Sequence, residues 1–294
     1  MIRRITYEIT KEEEGLTIGA FLKKKRYVHA VLVAVKHTEE GLLLDGVWVH
    51  MDAVLRAGAK LQVTFEDSAF SDIPMVEGPL DIVYEDEDLL VVNKPPHLPV
   101  HPSLGHYEDT LANYVMAYYR DCPITYRVMN RIDRDTSGLV IIAKNALAAG
   151  ILGRDVTSRQ VHRSYLAICQ GRIEEDGCIN APIGRVEDSV ITRCVRPDGE
   201  EAITHYEPLS YHADSDVTLV RLILGTGRTH QIRVHMAYLG HPLIGDFLYN
   251  PGNTQMARQA LHSASLDFIH PVTAKEMHLH APLPADMKCF FQGI

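Results

Sequence analysis

Leu139-Val140-Ile141-Ile142-Ala143 is apolar at every position, and a short run of this kind leaving a turn reads as a buried strand around which the rest of a sheet is arranged. The chain enters it through Arg131-Ile132-Asp133-Arg134-Asp135-Thr136-Ser137-Gly138. That segment sets the Asp133 carboxylate between two guanidinium groups on a Thr-Ser-Gly turn, where it can be held ionised and aimed. Asp ahead of Thr-Ser-Gly is also the composition of an ordinary loop, because Asp and Ser bond nearby backbone N–H groups and Gly tolerates positive φ. Three other segments decide between these readings.

Asp81 to Pro96 reads as a strand, an acidic turn at Glu85 to Asp88, a buried strand and a Lys-Pro-Pro stop. Pro95 and Pro96 cannot donate to a ladder, which leaves Lys94 at the strand's mouth. Val161 to Gly171 reads as a strand in which Tyr165 follows His162 and Arg163. In Gly225-Thr226-Gly227-Arg228-Thr229-His230-Gln231-Ile232-Arg233 a glycine turn delivers Thr229 as an N-cap. Ile232, Met236 and Leu239 then keep helical spacing, and Gly240 with Pro242 stops the helix. Arg233 falls in the first turn, on the flank of the apolar stripe.

The order Asn-Lys-Pro-Pro, Arg-Ile-Asp-Arg-Asp-Thr-Ser-Gly, Ser-Tyr-Leu-Ala, Gly-Arg-Thr-His-Gln-Ile-Arg-Val-His, Gly-His-Pro-Leu-Ile-Gly-Asp, Leu261-His262 and Ala281-Pro282-Leu283-Pro284 resembles the RluA-like RNA pseudouridine synthases, from about Asp81 to Asp286. The resemblance implies isomerisation of specific uridines to pseudouridine in structured ribosomal or transfer RNA, with no metal and no redox cofactor. It makes Asp133 the nucleophile or base, a role suited to an oxocarbenium-like sugar centre. Arg233 becomes the bidentate partner that keeps Asp133 charged and placed. The Tyr165 ring stacks on the uracil, and its hydroxyl assists removal of the C5 proton. A uridine in folded RNA must be extruded to be reached, and Arg131 fills or braces the vacated stack. Lys94, Arg228, His230 and Asn130 complete the expected substrate contacts. Asn130 departs from the pattern, which usually carries His ahead of the core, so altered bonding around the base or RNA backbone is expected there.

The net charge of −9 counts against an RNA partner, since phosphate contacts demand local positive charge. The acids cluster, however, at Glu12 to Glu14, Glu39 and Glu40, and Glu85 to Asp88. Gly15 to Thr38 holds no acid but does hold Lys23, Lys24, Lys25, Arg26 and Lys36, so a basic patch on an acidic protein is available. Lys23, Lys24, Lys25 and Arg26 are the candidate RNA-binding residues; a solvated lysine face is the alternative.

Residues 1–70 read as a small α/β appendage: a short helix over Leu16 to Leu22, an apolar-basic segment over Val31 to Lys36, a hairpin signal at Asp45-Gly46 and a strand over Leu61 to Phe65. This pattern is similar to a degenerate S4-type RNA-binding domain lacking its arginine-rich signature. Ser68 to Pro79, with two prolines and a glycine, supplies a linker set at 71–80, and 81–294 is the catalytic domain.

Within the larger unit, helices are expected at Thr110 to Arg120, Ala146 to Arg154 and His230 to Leu239. Strand hairpins are expected at Thr204 to His212 with Val217 to Leu224, and at Leu261 to His270 with Glu276 to His280. Without regular βαβ alternation the fold class is α+β, a mixed, largely antiparallel sheet. No apolar run reaches membrane-spanning length and nothing resembles a signal peptide, so a cytoplasmic monomer is expected. Five cysteines without a Cys-x-x-Cys pair read as reduced packing residues.

Gly225-Thr226-Gly227 lacks the further residues of either phosphate-binding loop, and His230 and His235 lie on different helix faces with no metalloprotease glutamate between them. Two competing functions stay open. One is a catalytically silent RNA-binding or assembly factor; the other is a glycoside or nucleoside hydrolase pairing Asp133 with Asp135.

Overall fold

The protein is described by a computed structural model covering residues 1–67, 72–187 and 189–291. β1 (Ile2–Glu8), α1 (Ile18–Lys24), α2 (His29–His37), β2 (Leu42–Leu44), β3 (Val47–Trp48) and β4 (Lys60–Glu66) form the N-terminal body. Its four strands make an antiparallel sheet in the order β1-β4-β2-β3. The expected first helix starts two residues late because Thr17 caps it, its hydroxyl accepting from the Ala20 N–H. Asp45 and Gly46 both take left-handed φ, 50° and 83°, as a tight hairpin turn between β2 and β3 requires.

The chain continues through β5 (Ile82–Glu85), β6 (Leu89–Lys94), α3 (Leu111–Tyr118), β7 (Arg127–Val128), β8 (Ser137–Ala143), α4 (Ala146–Thr157) and β9 (His162–Gln170). Then come β10 (Gly177–Asn180), β11 (Ile183–Arg185), β12 (Arg193–Val195), β13 (Ile203–His212), β14 (Val217–Leu224) and α5 (Gln231–Tyr238). β15 (Leu261–Ile269), β16 (Glu276–His280), α6 (Ala285–Lys288) and a 3-10 turn (Cys289–Phe291) close the order. Thr110 and Asn113 cap α3 reciprocally, and Asn145 caps α4.

The main sheet runs β10-β13-β14-β9-β15-β8-β6-β5, with β16 on β15 and β7 on β8. Every pairing in it is antiparallel except β8 with β15, where His262 and Ser263 lie parallel to Ser137 and Gly138. β8 is the central element: all seven residues are buried. Val140 and Ile142 pack into the core under α3, while Leu139, Ile141 and Ala143 pack into a second core under α4. A continuous apolar run is what a strand covered on both faces needs.

Leu147 and Ile151 of α4 pack into the core of the N-terminal body beside Phe21 and Val31. Arg3 of β1 donates Nε and Nη2 to the Asp88 carboxylate at 2.8 and 2.7 Å, and Arg127 donates to Asp67 at 3.0 and 2.8 Å. Of the expected linker, residues 68–71 lie outside the described residues; beyond them, Pro74 accepts a hydrogen bond from the Asn113 side chain of α3.

Several sequence expectations are corrected. Lys25 pairs with Glu13 at 3.0 Å and sits over the Phe21 ring, while Arg26 pairs with Asp155 of α4, so each already holds a carboxylate although both side chains stay partly exposed. Lys23 and Lys24 remain exposed. The cysteines are all free, but only Cys169 is buried; Cys122, Cys178 and Cys289 are exposed and Cys194 is half-buried, so packing does not explain them. Among the described residues no helix is long and apolar enough to cross a membrane.

Candidate active site

The turn that carries Asp133 is closed by its own carbonyl, which accepts from the Thr136 N–H at 3.1 Å, and the chain passes directly into β8. Gly138 takes φ of 109°, and a Cβ there would collide with the backbone of Ser263 on β15. Glycine is therefore required where β8 and β15 approach, and Ser137 completes the seam by bonding His262 Nδ1 at 2.9 Å. Burial pushes the His262 imidazole down to about 4.

The same loop is braced from below. Lys94 Nζ donates to the carbonyl oxygens of Arg134 and Pro95 at 2.9 and 2.7 Å. Its burial lowers the ammonium to about 7 against the opposing pull of Asp135. Lys94 is thus a strut beneath the turn and does not line the hollow that Asp133 faces. Asn130 is also buried, donating to the Leu139 carbonyl at 3.0 Å and accepting from the Ile141 N–H at 2.7 Å. It fastens the loop to β8 and reaches neither the hollow nor the surface, which corrects its expected role as a substrate contact.

Arg134 turns away from Asp133 and donates to Asp135 at 3.1 and 3.0 Å, while His97 bonds the same carboxylate at 2.8 Å. Burial alone would raise Asp135, but these hydrogen bonds outweigh it and hold its pKa below the usual carboxylate range. Asp135 is consumed in pinning the turn. Arg131 has no hydrogen bond or ion pair among the described residues and stands exposed at the rim of the hollow.

The guanidinium beside Asp133 comes from α5. Arg233 Nη1 donates to Asp133 Oδ2 at 3.0 Å across a separation of 100 residues. Its other two nitrogens, Nε and Nη2, donate to Asp246 at 2.7 and 2.8 Å, and its plane lies 5.1 Å from the Tyr249 ring. Burial works against the charge on Arg233, but the two carboxylates more than offset it and raise its pKa. Asp246 was not singled out in the sequence: it ends the Gly-His-Pro-Leu-Ile-Gly-Asp motif, yet a lone acid after a glycine carries no periodicity and no visible partner.

α5 begins differently from the expectation. Its N-cap is His230, in the left-handed region with φ of 58° and with no side-chain cap, so Thr229 does not cap the helix. Gln231 holds the turn instead, accepting from the Thr226 hydroxyl at 2.7 Å and the Arg228 N–H at 3.0 Å and donating to the Ile203 carbonyl at 2.9 Å. The left-handed step turns the His230 ring inward, with Nε2 4.0 Å from Asp133 and Nδ1 2.9 Å from the Tyr249 hydroxyl. Burial, aided by Arg233 and opposed by Asp133, lowers the His230 pKa.

Asp133, Arg131, Tyr165, Arg228, His230 and Arg233 line one open hollow. Tyr165, on β9, is 5 % exposed and forms its floor. Burial raises the phenol, the Asp133 charge adds to that, and Arg163 opposes it. Asp133 is the sole acid among the lining residues, with about a quarter of its side chain, 27 %, exposed. Arg228 also lines the hollow, but it pairs with Glu200.

Away from this hollow, Asp86, Asp88 and His270 form a cluster of metal-ligand type. His270 Nδ1 accepts from the Val272 and Thr273 N–H groups, which leaves the ring proton on Nε2, 2.9 Å from Asp86. Asp88 is committed to Arg3 and Asn145. Asp86 accepts from the Asp88 and Leu89 N–H groups and the Tyr84 hydroxyl, so both carboxylates already have partners within the protein.

Comparison with known proteins agrees with this geometry. Residues 88–238 match the family model described as RNA pseudouridylate synthase. The chain is 43 % identical over 267 residues, 90 % of this chain and 94 % of its relative, to a Bacillus subtilis protein described as the uncharacterized RNA pseudouridine synthase YjbO. It is 39 % identical, over 86 % of this chain and 84 % of the relative, to ribosomal large subunit pseudouridine synthase D of Vibrio parahaemolyticus. Among solved structures, human RNA pseudouridylate synthase domain containing 1 aligns with a TM-score of 0.59 and 30 % identity over 71 % of this chain and 86 % of that one. An isolated carboxylate held by a buried arginine over a tyrosine floor, on a mixed sheet of this order, is thus accompanied by relatedness over most of the sequence: the chain belongs to the RNA pseudouridine synthase family, enzymes that isomerise uridine to pseudouridine within RNA.

Proposed function

We propose that this chain isomerises uridines of ribosomal RNA in the cytoplasm, acting as a monomer, with Asp133 as the residue that meets the sugar. The observation that carries this reading is the 3.0 Å contact between Arg233 and Asp133, which joins distant segments at the bottom of a hollow holding no other acid. The N1–C1′ bond breaks, the Asp133 carboxylate stabilises or traps C1′, the base turns, and C5 bonds to C1′. The C5 proton is lost and N1 gains one, so nothing is added overall. Arg233 orients the carboxylate, and the Tyr165 ring supports the flipped uracil. Because burial raises its pKa, the Tyr165 hydroxyl assists the C5 step as a relay, giving up its own proton as it takes the one from C5. Arg131, unpaired at the rim, fills the stack that the uridine leaves.

The relative named as a ribosomal large subunit synthase supports ribosomal RNA as the substrate class. A hydrolase is disfavoured because Asp135, the second carboxylate it would need, is turned to His97 and Arg134. For the N-terminal body, 1–67, exposed Lys23 and Lys24 support RNA contact, while Lys25 and Arg26 offer it less because each already holds a carboxylate. The test is release of tritium from [5-³H]uridine-labelled ribosomal and transfer RNA without added cofactor. Release from ribosomal RNA that stops in Asp133→Asn, with RNA binding retained, is expected; absence of release from both RNAs by the unaltered protein overturns the reading.

A further inference from the structure

Two hollows meet at Gly227-Arg228. The first is the one Asp133 faces, with Arg163 of β9 in its wall; the second lies against the β11–β12 hairpin and is lined by Arg185 and Arg193. Arg163 and Arg193 share a property that sets them apart. The Nε of Arg163 and one terminal nitrogen of Arg193, Nη1, are buried and have no hydrogen-bond partner among the described residues. Neither guanidinium makes an ion pair there, whereas the buried guanidinium groups of Arg3, Arg233 and Arg258 each hold a carboxylate in two hydrogen bonds. Buried donors without an acceptor are costly in an isolated protein. At the mouth of a site that takes a polyanion, that vacancy is complementary to a ligand.

We propose that Arg163 and Arg193 form a cradle for two phosphodiester groups of the RNA strand, one on each side of the extruded uridine, with the chain crossing the Gly227-Arg228 ridge. The planar guanidinium fork matches phosphate oxygens and adds charge where the backbone must be held while the base is out. Gly227 fits this path: a Cβ there would lie 3.1 Å from Arg163 Nη1 and 3.3 Å from Nη2, so the guanidinium packs closely against a bare backbone. The Arg193 main chain is held beside the site, its N–H donating to the same Tyr249 hydroxyl that bonds His230 Nδ1, at 3.0 and 2.9 Å. The Glu200 carboxylate at the edge of the second hollow is committed to Arg228 and does not neutralise Arg193.

The inference rests on the proposed RNA substrate, and its test separates the two. Full-length protein is titrated with an unmodified large-subunit ribosomal RNA transcript over a range of KCl, alongside tritium release at saturating RNA. Arg163→Gln and Arg193→Gln should each make the slope of log K against log salt less negative by about 0.7 to 0.9, and the double variant by about twice that, because each phosphate contact releases its own counterions. KM should rise in both variants, and kcat at saturation should change little in Arg193→Gln, which lies outside the Asp133 hollow. Unchanged slopes in an active wild-type background, or a loss confined to kcat, overturns the cradle and leaves the isomerase reading standing. A wild-type protein that releases no label overturns that reading instead. Should a glutamine variant fail to fold, Arg163→Lys and Arg193→Lys decide: retained slope with raised KM supports the fork, and unchanged KM overturns it.

Discussion

Arg233 holds Asp246 with two nitrogens, at 2.7 and 2.8 Å, and offers Asp133 only the third. Asp246 is wholly buried, so it fixes the guanidinium plane and leaves one donor aimed into the hollow. Lysine has the charge but no fork. Arg233→Lys should lower turnover by about a hundredfold, the scale expected when a catalytic group loses its orientation. Tritium release measures this, and activity within a fewfold of wild type would mean that charge alone suffices.

Asp246→Asn removes the buried partner and leaves the guanidinium under-compensated. Breaking a buried pair costs about 3–5 kcal/mol, so the denaturant midpoint should fall together with activity. Asp133→Asn, whose side chain is partly exposed, should abolish turnover with almost no change in the same midpoint.

Gly138→Ala places a side chain on a backbone with φ of 109° and against the main chain of Ser263. Strain and overpacking together cost about 3 kcal/mol or more. Chemical denaturation should show it directly, and a variant of wild-type stability would mean that β8 and β15 can separate freely.

Asn130→Ala leaves the Leu139 carbonyl and the Ile141 N–H without their partner inside the protein. Each unsatisfied buried group costs about 1–3 kcal/mol, and RNA affinity should be unchanged because the side chain faces no solvent. Weaker RNA binding at unchanged stability would place Asn130 in the interface instead.

His262 is buried and its pKa is depressed to about 4. Between that value and its unfolded value near 6.5, the unfolded chain binds the proton and the folded chain does not. Stability therefore rises with pH across this window: the contribution is present above pH 6.5 and is lost as pH falls toward 4. The integrated effect is about 3 kcal/mol at most, and His262→Gln should flatten the slope of unfolding free energy against pH over that interval.

The elements that depend on local pattern were legible in the chain. The apolar run at 139–143 is the central strand, the hairpins at 204–224 and 261–280 pair as their alternation implies, and Asp133, Tyr165 and Arg233 share one hollow. What escaped were side chains whose partners lie far along the sequence. Asn130 read as a substrate contact because nothing local shows that β8 covers it. Lys25 and Arg26 read as an RNA face, yet Glu13 and Asp155 claim them. Thr229 has the chemistry of an N-cap, but Gln231 bonds the turn from inside the helix and shifts the start by one residue.

β15 lies between β8 and β9, and through Ser263 and His262 it closes the seam behind the Asp133 turn. Arg258 adds a bond to the Asp135 carbonyl and is itself anchored by Asp286. A growing polypeptide thus carries Asp133 long before it carries the strand that braces its turn, and contacts so distant in sequence form late. The Asp133 turn therefore gains its backing only once β15 has been made and has paired with β8.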